Sequence, residues 1–286
     1  MSTKKTWFIT GASKGLGLSL VKQLLSLGHQ VAATSRSLDD LNSAVGENNT
    51  NFLALTADLK TEASVNKAVN AAIARFGKLD VVVNNAGYGQ AGSLEELSDK
   101  ESRDNFDINV FGALNVIRSV MPHLRKQGSG HILNISSIAG FIGTFPGFGI
   151  YCATKFALNG LTESLATEVK PFGVHVTLVQ PGYFRTSFLT TDSLRVPANE
   201  IAEYKEVRDV QTLHQNEING NQPGDPEKAA AVMIKITNDQ NPPLHLFLGE
   251  DAYNLAYAKI DAVKSELEAW KADTISTAFE GSVVAQ

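Results

Sequence analysis

The sequence predicts an α/β protein built on a parallel, doubly wound sheet with helices on both faces. Short apolar runs of strand length alternate with longer segments of helical periodicity, giving six strands over residues 6–179. Polar and glycine-rich residues follow these runs repeatedly, as they do at the carboxyl edge of a sheet that binds a ligand. The length of 286 residues allows a large core, and we expect a single domain over residues 1–286.

The composition is that of an ordinary globular protein, and it argues against several classes of binding partner. A formal net charge of -5 gives no support to nucleic-acid or anionic-membrane binding. No apolar stretch approaches the ~20 residues that span a bilayer. Cys152 is the single cysteine, and the six histidines are scattered without ligand spacing. We therefore expect a cytoplasmic protein with no metal, no nucleic-acid partner and no membrane partner.

The first strand, residues 6–10, runs into TGASKGLG at residues 10–17 and then into a helix. Strand, glycine loop and helix follow in the order that a phosphate site requires. Gly11 allows a tight turn, Gly15 lets the backbone approach a pyrophosphate, and Gly17 lets the helix pack closely on the strand. The spacing is GxxxGxG and not the commoner GxGxxG, so a turn without a ligand is the alternative.

The second strand, residues 29–35, ends at Ser35 and Arg36, where the adenosine ribose of a dinucleotide is expected. An NAD-selective protein usually carries Asp or Glu there. A hydroxyl and a guanidinium suit a 2'-phosphate instead, and Lys14 adds a second cation. The pattern favours NADP(H) over NAD(H), the alternative being two solvated surface cations.

The third and fourth strands also end in polar residues. Residues 52–57 lead to Asp58-Leu59, where the carboxylate can accept from an adenine amino group or cap a turn. Residues 79–83 lead to Asn84-Asn85-Ala86-Gly87. These asparagines can tie neighbouring strands together while the glycine leaves room for a flat ring, and a simple turn is the alternative.

A long helix is predicted over residues 99–121, with Asn109 inside it. A polar amide is unfavourable in an apolar-rich helix unless it has a task or faces solvent. The fifth strand, residues 131–135, then ends at Ser136-Ser137, and the sixth, residues 174–179, ends at Pro181-Gly182. The strand ends therefore converge on one site.

Tyr151 and Lys155 stand four residues apart at the start of a predicted helix, and so on one face of it. A nearby ammonium lowers the pKa of a phenol, which would enable general acid/base chemistry. A helix with one half-buried aromatic and one solvated lysine is the alternative. The preceding loop, residues 139–150, is rich in glycine and carries Phe141, Phe145 and Phe148, which line an apolar cleft or pack as satellite core.

Together these motifs resemble the classical short-chain dehydrogenase/reductase family, in its order and spacing, over about residues 5–190. The resemblance implies a Rossmann-type sheet of about seven strands and four catalytic residues. Tyr151 would protonate the carbonyl oxygen and Ser137 would hydrogen-bond it. Lys155 would bind the nicotinamide ribose and lower the pKa of Tyr151, and Asn109 would hold a water for proton relay. The implied cofactor-binding residues are Gly11, Ser13, Lys14, Gly15, Leu16, Gly17, Ser35, Arg36, Asp58, Leu59, Asn85, Ala86, Gly87, Tyr151, Lys155, Pro181, Gly182 and Thr186.

The C-terminal third is less regular. Residues 187–222 are polar and poorly periodic, apart from a helix near residues 201–213, and the resemblance implies a substrate lid there. Asp225-Pro226-Glu227 begins another helix with a cap and an N1 proline. Residues 250–286 form a predicted helical extension, either a contact in a homodimer or homotetramer or a solvated helix.

The pieces GDPEKAA and PPLHLFLGEDAY resemble the retinol- and hydroxysteroid-dehydrogenase-like branch, which implies a lipophilic alcohol or ketone. Phe184, Phe188 and Leu189 suit such a substrate, or pack under the lid. The predicted function is hydride transfer between NADP(H) and a carbonyl or secondary alcohol, with Tyr151 as general acid/base. The alternative is a catalytically silent, NADP(H)-binding regulatory protein, because a fold and a cofactor do not fix a function.

Overall fold

The computed structural model describes residues 4–46 and 49–279. Its central sheet has seven parallel strands in the order β3-β2-β1-β4-β6-β7-β9. These strands are β1 (Thr6–Thr10), β2 (Gln30–Ser35), β3 (Phe52–Thr56), β4 (Val81–Asn84), β6 (Gly130–Ile135), β7 (Val174–Pro181) and β9 (His245–Leu248). Two short strands, β5 (Gly89–Gln90) and β8 (Leu194–Arg195), pair separately with each other.

The strand order reverses at the centre of the sheet. The chain steps outward from β1 to β3 and then returns to place β4 on the other side of β1. The crossovers on the two sides of this point leave a crevice beyond the carboxyl ends of β1 and β4. The predicted doubly wound parallel sheet is confirmed, and all six predicted strands are present with shifts of one or two residues at their ends.

Helices cover both faces of the sheet, as predicted. Their bounds are α1 (Gly15–Ser26), α2 (Leu38–Val45), α3 (Glu62–Phe76), α4 (Asp99–Phe106), α5 (Ala113–Gln127), α6 (Gly149–Val169), α7 (Lys205–Thr212), α8 (Pro226–Ile236), α9 (Glu250–Ala269) and α10 (Lys271–Ile275). Single π-helical segments occupy Asp107–Gly112 and Leu213–Ile218, and short 3-10 helices occupy Ile138–Gly140, Lys170–Phe172 and Ser187–Leu189.

The core has one layer on each side of the sheet because successive strand residues point to opposite faces. In β1, Trp7 and Ile9 pack toward α1 and α8, whereas Phe8 packs toward α3, α5 and α6. All three side chains are buried. This two-sided burial explains why the strands are continuous apolar runs without polar alternation.

Two predicted helices differ in detail from the structure. The helix predicted over residues 99–121 is α4, a π-helical segment and α5 in succession, and it continues to Gln127 although Pro122 lies inside it. The helix predicted near residues 201–213 begins at Lys205 and continues as a π-helical segment to Ile218. In both cases the turn widens locally, which a pattern with a period of 3.6 residues does not reveal.

The C-terminal extension is helical through α9 and α10, and α10 ends at Ile275. Ala252 and Ala256 are buried against the body, but most of α9 faces solvent. Residues 280–286, the end of the predicted extension, lie outside the described residues. Among the described helices, none combines the length and apolar character needed to cross a membrane.

Candidate active site

The predicted site residues meet at the crevice where the strand order reverses. All of them except Gly17 and Asn109 line a single cavity of about 590 Å³, a usual size for a ligand pocket. Gly17 and Asn109 are buried. Residues that are up to 175 positions apart, from Gly11 to Thr186, are thus brought to one cavity.

The glycine loop is shaped by contacts that exclude side chains. Gly11 has φ 66, and a Cβ there would stand 2.7 Å from the Cα of Ala86. A Cβ on Gly17 would stand 2.5 Å from the Nδ2 of Asn85, so the first turn of α1 packs directly on the loop after β4. No side chain caps α1 at Lys14. Because the first N-H groups of a helix lack intrahelical partners, the start of α1 offers an anion-binding site at the cavity wall.

Asn85 fixes this loop with three hydrogen bonds. Its Nδ2 donates to the carbonyls of Thr10 at 2.9 Å and Gly11 at 2.8 Å, and its backbone N-H donates to the Thr10 hydroxyl at 3.1 Å. On the other side, Asn84 Nδ2 donates to Asn134 Oδ1 at 2.8 Å, from β4 to β6. The prediction that the asparagines tie neighbouring strands together is confirmed.

At the end of β2, the Ser35 hydroxyl donates to the Ser13 hydroxyl at 3.2 Å. Arg36 and Lys14 are exposed at the cavity wall, and within the described residues neither side chain forms an ion pair or hydrogen bond. Asp58 takes the turn role, since its carboxylate accepts from the Lys60 N-H at 3.0 Å and the Thr61 hydroxyl at 3.1 Å. The two cations are therefore free to meet an anionic ligand.

Two residues close the cavity on the side of β7. Thr186 faces the glycine loop, with its Cβ 3.5 Å from the point where a Cβ on Gly15 would stand. Gly182 lies against the carboxylate of Asp251 in the first turn of α9, and a Cβ there would collide with it. Asp251 Oδ2 also accepts from the Tyr183 N-H at 2.7 Å. The chain leaving β7 is thus fixed by the C-terminal extension.

Ser137 and Tyr151 line the cavity together, and although burial raises the pKa of the Tyr151 phenol, the interaction with Ser137 acts to lower it. The Ser137 hydroxyl accepts from the Ala139 N-H at 3.1 Å. Ser136 is directed elsewhere, because its hydroxyl donates to Asn159 Oδ1 at 2.6 Å. Of the two adjacent serines, Ser137 is the one at the phenol, as the sequence motif indicates.

The pKa of Tyr151 differs from the expectation. Burial raises the pKa of the phenol well above its usual value, and the interaction with Ser137 opposes this only in part. The Lys155 ammonium lies 5.8 Å from the ring centre and donates to the Ile135 carbonyl at 2.9 Å. Burial is the largest influence on the pKa of Tyr151, and it keeps the phenol protonated at neutral pH. Burial also lowers the pKa of Lys155 to about 8.

Asn109 lies in the π-helical segment behind Gly87, and its amide is held on three sides. Oδ1 accepts from the Tyr88 N-H at 3.0 Å, while Nδ2 donates to the Tyr88 carbonyl at 3.0 Å and to the Thr154 hydroxyl at 3.1 Å. A Cβ on Gly87 would stand 3.1 Å from Asn109 Oδ1 and 3.6 Å from Lys155 Nζ. The two polar groups thus flank the same glycine. Single π-helical turns are common at functional sites, where they redirect a side chain.

The family model described as short chain dehydrogenase matches residues 5–195. The chain belongs to the short-chain dehydrogenase/reductase family. It is 32% identical over 276 residues to oxidoreductase BOA17 of Botryotinia fuckeliana, covering 96% of this chain and 99% of that protein. It is 37% identical over 243 residues to a 3-ketodihydrosphingosine reductase of Bacteroides thetaiotaomicron, covering 84% and 86% of the two chains. The structure of a short-chain dehydrogenase from Streptomyces avermitilis is similar with a TM-score of 0.89 and 37% identity, over 97% of this chain and 100% of that one.

Structures of family members with bound cofactor are also similar. A 3-ketoacyl-(acyl-carrier-protein) reductase from Brucella melitensis in complex with NADH has a TM-score of 0.71 and 27% identity, over 85% of this chain and 96% of that one. ElxO with NADP bound has a TM-score of 0.70 and 27% identity, over 86% and 96%. Neighbours within the family thus bind nicotinamide dinucleotides of both kinds.

Several apolar side chains, most of them aromatic, also line the cavity. Phe145, Phe148, Phe184, Phe188 and Leu189 all line it, whereas Phe141 packs edge-on against Phe247 with ring centres 5.3 Å apart. The ring centre of Phe188 is 5.8 Å from that of Tyr151. The prediction of an apolar cleft thus matches the lining at these positions, and Phe141 belongs to the core instead.

Several residues that line the cavity were not predicted, and three of them form a polar group: Tyr183, His214 and Gln222. The Tyr183 hydroxyl hydrogen-bonds His214 Nε2 at 2.8 Å, and the His214 ring centre lies 4.9 Å from that of Phe148. Tyr183 directly follows the Pro181-Gly182 motif, which is the one signal that singles it out. His214 and Gln222 lie in the poorly periodic segment, where no pattern distinguishes them.

Residues 187–222 are held over the cavity by a buried carboxylate of the body. Glu96, whose side chain is fully buried, pairs with Arg208 at 2.7 Å and accepts from the Ile201 N-H at 2.9 Å. Burial alone would raise the pKa of Glu96, but hydrogen bonds from the Ile201 and Ser93 N-H groups and the charge of Arg208 hold it below its usual value. Glu96 is thus ionised and anchors the segment.

Proposed function

We propose that this chain is an NADP(H)-dependent reductase of lipophilic carbonyl compounds, which oxidises the matching secondary alcohols in reverse. The observation that carries the proposal is the buried phenol of Tyr151, which lines one cavity with the Ser137 hydroxyl and with the uncapped start of α1. A proton donor, an oxygen-binding hydroxyl and a phosphate site then share one pocket.

The cavity wall fits a nicotinamide dinucleotide. The loop at Gly11 and Gly17 is too close to its neighbours for side chains, and the uncapped N-H groups of α1 suit a pyrophosphate. Arg36 and Lys14 suit a 2'-phosphate because within the described chain both cations lack an acidic partner. These features support NADP over NAD. The bound cofactor would supply the hydride that the side chains themselves cannot provide.

The four predicted catalytic residues supply the proton transfer and the positioning that the reaction needs besides the hydride. Tyr151 donates its proton to the carbonyl oxygen, and Ser137 stabilises the same oxygen by a hydrogen bond. Lys155 keeps a positive charge beside the phenol and contacts the nicotinamide ribose. Asn109, fixed on three sides, positions a water through which a proton returns from solvent toward Lys155. Each role uses a group that its side chain carries.

The lining supports a lipophilic substrate. Phe145, Phe148 and Phe188 form an apolar wall close to the phenol, and apolar area of this kind binds apolar ligands. A relative with 37% identity is named for its reduction of 3-ketodihydrosphingosine, a keto compound of the sphingoid class. The narrower relation to the retinol- and hydroxysteroid-dehydrogenase-like branch stays a prediction.

We further propose that residues 187–222 act as the substrate lid of a single catalytic domain, as the Glu96 anchor supports. The cytoplasmic location and the homodimer or homotetramer remain predictions of the sequence.

The test is oxidation of NADPH and NADH by the wild-type protein across aliphatic, aromatic, retinoid and steroid carbonyls, with Tyr151→Phe as the matched control. We expect NADPH consumption that requires both a carbonyl and Tyr151. Tyr151→Phe should lower turnover by about 10²-fold to 10⁴-fold while NADPH affinity changes little, because only the proton donor is lost. NADPH binding without turnover of any carbonyl or alcohol would contradict the proposal and favour the regulatory protein.

A further inference from the structure

Gln222 carries a buried hydrogen-bond donor without a partner at the cavity wall. The residue is 1% exposed, and Nε2 has no hydrogen-bond partner within the described residues. The amide orientation is fixed because the Gly220 N-H donates to Oε1 at 2.9 Å, so the oxygen must face Gly220 and the NH2 group must face away. Buried donors are nearly always paired in folded proteins, and because Gln222 lines the cavity, a ligand there is in a position to pair with this amide.

Two polar side chains of this wall, Tyr183 and His214, are hydrogen-bonded to each other. The Nδ1 of His214 lies 2.7 Å from the Val210 carbonyl, which can only accept, so Nδ1 carries the proton. Nε2 then accepts from the Tyr183 hydroxyl. Burial lowers the pKa of His214, which keeps the imidazole neutral at pH 7. The Tyr183–His214 pair is thus satisfied, whereas among the described residues the Gln222 amide donor is unpaired, as is the Tyr88 hydroxyl elsewhere in the cavity lining.

This wall lies beside the proposed reaction centre. The ring of Phe148 stands between His214, with ring centres 4.9 Å apart, and Tyr151, with ring centres 6.5 Å apart. Gln222 joins the same wall through its backbone, since its carbonyl accepts from Arg185 Nε at 3.2 Å and Gly224 pairs with Tyr183. Since Tyr151, Phe148, His214 and Gln222 all line one cavity, a substrate whose carbonyl meets Tyr151 shares that space with the Gln222 amide.

We infer that Gln222 binds a second, neutral oxygen of the substrate, so that the preferred substrates are apolar carbonyl compounds carrying an additional ether, hydroxyl or keto oxygen. The inference rests on the proposed reductase function and names its substrate class. The Gln222 amide is an uncharged donor and suits a neutral oxygen, while Arg185, the cation that contacts this residue, donates to its backbone carbonyl and does not line the cavity. A substrate that lacks the second oxygen leaves the buried amide unpaired and is discriminated against.

The test compares substrates that differ by one acceptor atom. The ligands are para-methoxyacetophenone and para-ethylacetophenone, with the meta pair beside them, so that an ether oxygen replaces a methylene at nearly constant shape. Binding is measured by calorimetry in the Tyr151→Phe background with NADPH present, and turnover is measured with Tyr151 intact. The variants are Gln222→Leu, of similar size without a donor, and Gln23→Leu on the surface of α1 as the control.

Wild-type and Gln23→Leu proteins should prefer the methoxy member of at least one pair by about tenfold, and Gln222→Leu should lose that preference. The same methoxy-to-ethyl ratio in wild type and Gln222→Leu overturns the inference. A loss of NADPH affinity in Gln222→Leu with unchanged ratios also overturns it, since the amide would then bind the cofactor. If the methoxy compounds bind better but are not reduced, the reductase proposal is contradicted and the Gln222 site is supported. If the compounds are reduced but the methoxy-to-ethyl ratios are the same in both proteins, the reductase is supported and the Gln222 site is contradicted.

Discussion

The ammonium of Lys155 lies 5.8 Å from the ring centre of Tyr151 and donates a hydrogen bond to the Ile135 carbonyl. Both side chains are buried, and burial moves their pKa values toward the neutral forms: that of Tyr151 upward and that of Lys155 down to about 8. At neutral pH the pair therefore consists of a neutral proton donor and a cation. This is the protonation state that carbonyl reduction requires.

The pH dependence of reduction follows from Lys155. A cation with a lowered pKa is charged below that value and loses its proton above it, so kcat/KM for NADPH-dependent reduction should fall as the pH rises past about 8. Lys155→Arg keeps the charge and should shift the decline to higher pH in whatever activity remains. Initial rates from about pH 6 to about pH 10 check this. A wild-type profile that stays flat past pH 9 would contradict it.

The adjacent serines provide a matched pair of variants. Ser137→Ala should lower kcat by about 10²-fold because the reacting oxygen loses a hydrogen-bond donor. Ser136→Ala should leave kcat within about threefold and act mainly on stability, since its buried hydroxyl bonds to Asn159. Turnover and thermal unfolding of both variants separate the two effects. Equal losses of kcat would show that Ser137 has no special role.

Arg36 is expected to distinguish the cofactors. Arg36→Ala should weaken NADPH binding by about 1.5–3 kcal/mol and NADH binding much less, because a charged hydrogen bond to the 2'-phosphate is lost. Arg118→Ala, an exposed cation on α5 that does not line the cavity, is the control. Fluorescence titration gives both Kd values. Equal weakening of NADPH and NADH would show that Arg36 does not contact the phosphate.

The anchor of residues 187–222 can be tested at Glu96. Glu96→Gln leaves Arg208 without its buried anionic partner and should lower the free energy of unfolding by about 2–4 kcal/mol, with a higher KM for carbonyls and little change in NADPH affinity. Limited proteolysis within residues 187–222 should become faster. Glu200→Gln, which removes the exposed partner of the same Arg208, should cost less than about 1 kcal/mol. Similar effects of both variants would show that burial of Glu96 is unimportant.

The exposed face of α9 provides a test of the predicted homo-oligomer. Tyr253, Tyr257, Ile260 and Leu267 are all more than 45% exposed and follow one another at intervals of four, three and seven residues, so they share one face of the helix. If a second copy covers this face, Ile260→Lys with Leu267→Lys should shift the protein to a smaller species in sedimentation. Leu27→Lys, an exposed leucine after α1, is the control. A wild-type monomer would contradict the prediction.

The sequence predicted the sheet and the crevice well because both depend on local patterns. Buried parallel strands are apolar runs, and the residues that follow each run lie at one edge by topology. Other features depend on tertiary packing. The direction of the Tyr151 pKa reflects burial, which the spacing to Lys155 does not reveal. The Tyr183–His214 contact joins residues 31 positions apart through a segment without periodicity. The π-helical turn at Asn109 breaks the period on which the helix prediction rests.

The position of Asp251 near the C-terminal end of the chain has a consequence for the synthesis of the protein. Its carboxylate fixes the Tyr183 N-H and lies against Gly182, yet it belongs to the last long helix of the chain. A nascent chain synthesised only through α8 already contains Tyr151, Lys155, Ser137 and Asn109, but it lacks the group that holds one wall of their cavity. We therefore expect the ligand pocket to be completed late in translation, and we expect a chain that stops before α9 to keep every proposed catalytic side chain but to lack this contact.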